Sequence, residues 1–139
     1  GLDSNDGLSP ATAWKTLYNA NYSASAGDIV YIGAGTYNSG VNLQKQVSPQ
    51  NNGSSGSYIT YYGDRDGSHT GDAGTITVND IFTTQYIQVI GIISETSVHG
   101  DTGGGNCIID SCKFPWIALI DMGGSTIKNC IIENKNKCN

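Results

Sequence analysis

Three short segments of this chain can be laid one above another: VIGIIS at 89–94, IDSCKF at 109–114 and IKNCII at 127–132. In each, an aliphatic residue (Val89, Ile109, Ile127) is followed three positions later by Ile92, Cys112 or Cys130, at offsets of 109 − 89 = 20 and 127 − 109 = 18 residues. A unit this short cannot bury its own apolar side and is covered only by stacking on its neighbour, so self-similarity at this period marks a β-solenoid. The position two beyond each aliphatic reads Gly91, Ser111 and Asn129, all turn-prone, and the fifth position of the motif proper reads Ser94, Phe114 and Ile132. A competing alignment sets NCIID (106–110) on NCIIE (129–133), but it links two segments where the first links three.

The rest of the chain agrees with stacked strands. Residues 29–37, 58–62, 75–78, 86–93, 106–110 and 125–132 are runs rich in Ile, Val, Tyr and Thr, bounded by Gly, Asn or Asp, as strands between turns are. No helical pattern lies between them, which excludes an alternating βαβ sheet; of the remaining choices, a sandwich of hairpins or a solenoid, the repeat favours the solenoid. One helical run precedes them. Ser9 and Pro10 form a helix-start signal, and Ala11, Trp14, Leu17, Tyr18 and Tyr22 recur at steps of three and four, so the pattern predicts a helix of about three turns over 10–22, stopped by Gly27.

At 139 residues the chain is long enough for one domain with a core. Seven Lys and Arg against twelve Asp and Glu give a net charge of −5, and Arg65 is the single arginine. A duplex-binding surface needs a basic stripe, so a nucleic-acid partner is not expected. No run approaches the roughly 18 apolar residues of a membrane span, so membrane insertion is not expected either. Cys107, Cys112, Cys130 and Cys138 do not repeat a CxxC spacing, which argues against zinc. An oxidising compartment suits them if any pair, and the sequons at Asn21 and Asn52 are compatible with secretion.

Stacking at the 20- and 18-residue offsets sets Cys112 beside Cys130, about 4.8 Å apart along the stack, inside the window for a disulfide. Two stacked, buried thiols are the alternative, and Cys138 offers a third partner that would close the end of the chain. The same offsets pair Asp110 with Lys128 on the outer face, a structural ion pair. Tyrosines are frequent on the strands, and those exposed on a flat face are natural platforms for sugar rings; Tyr58, Tyr61, Tyr62 and Tyr86 are the candidates for glycan contact.

Two polar stretches invite a chemical reading. GDRDGSHTGDAG (63–74) holds Asp64, Arg65, Asp66, His69 and Asp72, the residue types of acid–base chemistry, but all in one glycine-rich loop, and it reads as a turn with solvated charges. DSNDG (3–7) echoes a calcium loop, with Asp3, Asn5 and Asp6 as weak ligand candidates. It is one residue short and lacks the bidentate Glu, so a tight turn that satisfies backbone amides is the preferred reading and no cofactor beyond a candidate calcium ion is expected. No catalytic residue is assigned, and His99 stands alone.

DSNDGLSPATAWKTL, SAGDIVYIGAGTY and GSYITYYGD resemble the N-terminal coils of right-handed parallel β-helix proteins of the pectate-lyase-like superfamily. The resemblance implies an all-β, right-handed parallel β-helix with an N-terminal capping α-helix whose inward face is Trp14, Leu17 and Tyr18. It divides the chain into a turn and cap over 1–27 and coils over 28–139, read as a fragment of a longer chain. That superfamily includes polysaccharide lyases, glycosidases, phage tailspikes and fibres, and surface adhesins. The expectation is therefore a structural, glycan-contacting module of an extracellular fibre, phage tail or capsid fibre, or surface filament. Its partners would be a polysaccharide or cell-surface glycan and further subunits of a larger assembly, at the cell surface, in the extracellular space or on a virion. The alternative is the N-terminal part of a polysaccharide lyase or glycosidase whose active site lies beyond Asn139.

Overall fold

The computed structural model of the chain describes residues 1–118 and 123–133. Its strands are β1 (Ile29–Ile32), β2 (Gly35–Tyr37), β3 (Ile59–Gly63), β4 (Ile76–Val78), β5 (Ile81–Gln85), β6 (Ile87–Ile90), β7 (Ile93–Ser94), β8 (Ser97–Gly105), β9 (Ile108–Asp110), β10 (Lys113–Phe114), β11 (Trp116–Ala118), β12 (Thr126–Lys128) and β13 (Ile131–Ile132). They form three sheets, in the orders β1-β3-β6-β9-β12, β2-β4-β7-β10-β13 and β5-β8-β11, and every pairing between these strands is parallel. From β3 onward the chain visits the first, second and third sheets in rotation. Before that, Val47 takes the place of a third-sheet strand by bridging to Ile81.

The first sheet carries one inward ladder, Val30–Tyr61–Val89–Ile109–Ile127, in register from strand to strand. Its steps are 61 − 30 = 31, 89 − 61 = 28, 109 − 89 = 20 and 127 − 109 = 18, so the offsets read from the sequence are the spacing of the last turns of chain. The competing 23-residue alignment is excluded, because Asp110 lies opposite Lys128 and not Glu133. Lys128 Nζ is 3.3 Å from Asp110, as the outer-face pairing predicts. Burial follows the alternation: Ile59, Tyr61, Ile76, Val78, Ile81, Val89, Ile92 and Ile109 are fully buried. Removing each such side chain from water contributes about 1.5–3 kcal/mol.

Two stacked sets of left-handed residues turn the corners. Gly91, Ser111 and Asn129 have φ of 71°, 55° and 54° at the bend from the first sheet to the second. Tyr86, Asn106 and Gly124, with φ of 53°, 53° and 73°, do the same at the entrance to the first sheet, at the same offsets of 106 − 86 = 20 and 124 − 106 = 18. Left-handed backbone is strained for residues with a Cβ, and the chain repeats it in register.

Three expectations need correction. The helix over 10–22 is two pieces, a 3₁₀ turn at Pro10–Thr12 capped by Ser9, and α1 at Tyr18–Ser23. The break comes from Asp3, whose carboxylate accepts from the amides of Lys15 (3.0 Å) and Thr16 (2.8 Å) and from the Thr16 hydroxyl (2.9 Å), so these amides are spent on a side chain instead of on the preceding turn. Because α1 begins at Tyr18, its inward set is Leu17, Ala20, Asn21 and Ala24; Tyr18 points outward, 40 % exposed against Tyr22. Trp14 packs partly buried on the core, its indole N–H donating to the Asn5 carbonyl at 2.7 Å. Last, the third sheet and its strands at 81–85, 97–105 and 116–118 were not among the expected elements.

The N-terminal segment is fastened to residues 43–48, which include the helical turn Asn42–Lys45 between β2 and β3, and to β3 by Asn21, which is fully buried. Its amide donates to the carbonyls of Leu43 (2.9 Å) and Gln46 (3.0 Å), and its oxygen accepts from the Ser48 amide (3.0 Å) and the Tyr61 hydroxyl (3.1 Å). A glycan on Asn21 is incompatible with this fold, whereas Asn52 is exposed.

Candidate functional site

Between β6 and β7 the bend from the first sheet to the second is two residues, Gly91 and Ile92, but between β3 and β4 the same bend holds residues 64–75. The polar loop is therefore an insertion at one corner of the stack. Arg65 anchors its base, donating from Nε to the Gly91 carbonyl at 2.7 Å, while Gly74 N–H returns to the Arg65 carbonyl at 2.8 Å. Asp64 organises its interior. One carboxylate oxygen accepts from the amides of His69 (2.9 Å) and Thr70 (2.7 Å) and from the Thr70 hydroxyl (2.8 Å), and the other from the Ser68 hydroxyl (3.3 Å). Burial pushes the Asp64 carboxyl up, but the bonds from Thr70 and His69 outweigh it and bring the pKa down to about 2. A carboxylate saturated in this way does not move protons; its role is to shape the loop.

What the loop presents is His69. Its ring stacks on Tyr31 with centroids 3.9 Å apart and planes 18° from parallel. Tyr31 and Tyr62 are register partners on the outer face of β1 and β3, their rings edge to face at 5.7 Å, and His69 lies edge-on to Tyr62 at 6.5 Å. Tyr31 is 39 % exposed, and Ile29 beside it on the same face is 52 % exposed. This aromatic surface opens onto a groove of about 850 Å³ between the N-terminal segment and β1, lined among others by Trp14, Ala20, Ile29, Tyr37 and Asp72. Burial, and secondarily the charge of Asp72, raises the Tyr37 hydroxyl above the usual tyrosine range. An aromatic wall, an apolar floor and a few carboxylates make a contact surface of the kind that binds small polar rings.

The glycan-contact candidates read from the sequence divide three ways. Tyr61 is fully buried, its hydroxyl bonded to Asn21, and is not available to any ligand. It shares strand parity with the buried Ile59 and Gly63 on β3, which turns it inward. Tyr62 belongs to the aromatic surface. Tyr58 and Tyr86, half-buried and edge to face at 5.8 Å, pack on each other away from it. Tyr31, one of the strand tyrosines, and His69, read only as part of the polar loop, were not among the four glycan-contact candidates, and the structure brings both to this surface.

The remaining candidates serve the fold. Asp3 is committed to Lys15 and Thr16, Asn5 donates to the Ala13 carbonyl at 3.1 Å, and Asp6 accepts from the Leu8 amide at 3.0 Å. Among the described residues no three His, Cys, Asp or Glu side chains cluster as a metal site requires. Cys107, Cys112 and Cys130 are free thiols, and Cys138 lies outside the described residues.

His99 is not isolated, contrary to expectation. Its Nε2 meets the Ser97 hydroxyl and lies 3.5 Å from Asp80, while Ser97 donates to Asp80 at 2.8 Å. These are the residue types of a nucleophilic triad, but not its geometry, because Asp80 and Ser97 face the same imidazole nitrogen and Ser97 is 1 % exposed. The His99 ring stacks on Phe82 at 4.8 Å and meets Trp116 edge-on at 5.2 Å, so the group pins neighbouring strands of the third sheet.

Compared with protein-family models, with curated proteins and with solved structures, the chain matches none of them. Among the described residues no helix is long and apolar enough to cross a membrane.

Proposed function

We propose that the chain is a right-handed parallel β-helix serving as a structural, glycan-contacting module of an extracellular fibre, a phage tail or capsid fibre, or a surface filament. The rotation of the chain through three parallel sheets supports the helical winding, and crossovers between parallel strands of one sheet are almost always right-handed. The resemblance of the segments at 3–17, 25–37 and 56–64 to pectate-lyase-like proteins points the same way. The observation that carries the glycan reading is the surface of Tyr31, Tyr62 and His69, held open on the outer face beside the groove. Flat rings offer sugar rings an apolar face without requiring charge, and the loop that orients them is already ordered by Asp64, so little conformational freedom is lost on contact.

Calorimetric titration of the chain with a panel of neutral, amino and uronic polysaccharides tests this. At least one should bind, and Tyr31→Ala should weaken it by about tenfold, the equivalent of about 1.4 kcal/mol, with the circular dichroism spectrum unchanged. Binding to none of the panel, or an unaltered affinity in Tyr31→Ala, overturns the reading.

A further inference from the structure

Cys112 and Cys130 occupy stacked positions on neighbouring turns of chain, each one residue before a strand of the second sheet. The pairs on either side of them, Asp110 with Lys128 and Lys113 with Ile131, are in register, and the Ile131 amide donates to the Cys112 carbonyl at 2.9 Å. Neighbouring strands lie about 4.8 Å apart, within the roughly 4.4–6.8 Å between Cα atoms that a disulfide spans.

The two thiols are inequivalent. Cys112 is 1 % exposed, whereas Cys130 is half-buried at the bend leading to β13, the edge of the second sheet among the described residues. The Cys112 thiol donates to the carbonyls of Val89 (3.6 Å) and Asp110 (3.3 Å), and the Cys130 thiol to those of Ile109 (3.5 Å) and Lys128 (3.1 Å); the neighbouring Cys112 thiol draws the Cys130 pKa below the usual thiol range against its partial burial and the nearby Asp110 charge. The Cys130 sulfur beside it, with burial, pushes the Cys112 thiol up and holds its proton in place. Among the described residues no cysteine is in register with Cys107. Its amide is bonded to the Ser125 hydroxyl, and its thiol to the carbonyls of Thr84 and Gly105.

We propose that Cys130 and Cys112 form a two-thiol redox site, in which Cys130 reacts first with a low-molecular-weight disulfide and Cys112 resolves the adduct into a disulfide that joins the last two turns of chain. With glutathione disulfide as oxidant, the Cys130 thiolate attacks one sulfur, forming a protein–glutathione bond and expelling one glutathione thiolate. Cys112 then loses its proton to solvent and attacks the Cys130 sulfur, expelling the second glutathione thiolate. Two protein thiols are oxidised and one glutathione disulfide is reduced to two thiols. The bond closes a loop of 130 − 112 = 18 residues and restricts the unfolded chain.

The test uses the Cys107→Ser, Cys138→Ser chain, so that only the pair remains, incubated with glutathione disulfide and followed by intact mass and peptide mapping. The expected sequence is a transient single glutathione adduct on Cys130, then a species lighter than the reduced chain by two hydrogens, with a Tm higher by about 5 °C that dithiothreitol reverses. Adding Cys112→Ser should leave the adduct on Cys130 permanently, and Cys130→Ser should leave Cys112 unmodified while the chain is folded. An adduct that forms first on Cys112, one on Cys130 that never converts with Cys112 present, or two thiols that stay reduced would overturn the proposal.

Discussion

From Val89 to Ile132 the chain repeats its inward and cornering residues from strand to strand, whereas residues 1–24 and the insertion at 64–75 are tied down by hydrogen bonds that occur once. In the first region Ile109 sits between Val89 and Ile127, and the left-handed Ser111 between Gly91 and Asn129. In the second, Asp3 reaches Lys15 and Thr16, Asn21 reaches Leu43, Gln46, Ser48 and Tyr61, and Asp64 reaches Ser68, His69 and Thr70. A repeated ladder tolerates little variation at any rung, because each side chain is packed on both sides by its counterparts. A segment held by single bonds is free to differ in length and content, and His69 of the proposed contact surface stands on such a segment.

This contrast makes graded predictions. Ile109→Ala leaves a cavity in the middle of a dry ladder and should cost about 2–5 kcal/mol in urea unfolding; a loss below 1 kcal/mol would mean that the ladder is not the source of stability. Asn21→Ala should cost about 2–3 kcal/mol, since it strands two carbonyls and one amide in the interior and leaves the Tyr61 hydroxyl only its longer bond to the Ala20 carbonyl. It should also speed amide exchange in residues 1–24 more than in β6 or β9. Equal acceleration in both regions would erase the distinction.

Acid should separate the insertion from the ladder. The Asp64 pKa is lowered in the folded state to about 2, so the order it confers is present above the ordinary value of 3.8 and is lost as the pH falls towards 2. His69 and Tyr31 ring resonances should therefore lose their stacked shifts over that interval while Val89 and Ile109 methyl signals hold. In Asp64→Asn the stacking should already be absent at neutral pH. The smallest effect is expected at the corner: Ser111→Gly relieves a φ of 55° and should stabilise the chain by about 0.5 kcal/mol, the relief being partly offset by glycine's greater freedom when unfolded.

What could be read from the sequence follows the same division. The first and second sheets were legible because VIGIIS, IDSCKF and IKNCII keep one order of aliphatic, turn and inward residue. The third was not. Its strands IFTTQ, SVHGDTGGG and WIA share no motif, their offsets are 98 − 81 = 17 and 117 − 98 = 19, and the register shifts between Thr83 and Gln85. The apolar period over 10–22 correctly found Trp14 and Leu17, but nothing in it foretold that Asp3 would claim two of the amides. The inward turn of Tyr61 was recoverable, since it shares parity with Ile59, the aliphatic residue of that strand. The stacking of His69 on Tyr31 was not, because it depends on how Asp64 folds a loop more than 30 residues away (69 − 31 = 38).

The most direct test of where the chain makes contact is an NMR titration of the tyrosine- and histidine-labelled protein with the polysaccharide that binds it best. The account predicts that the ring signals of Tyr31, Tyr62 and His69 move together and saturably, while Tyr61 and the Tyr58–Tyr86 pair stay where they are. Movement confined to Tyr58 and Tyr86, with Tyr31 and His69 unchanged, would contradict it.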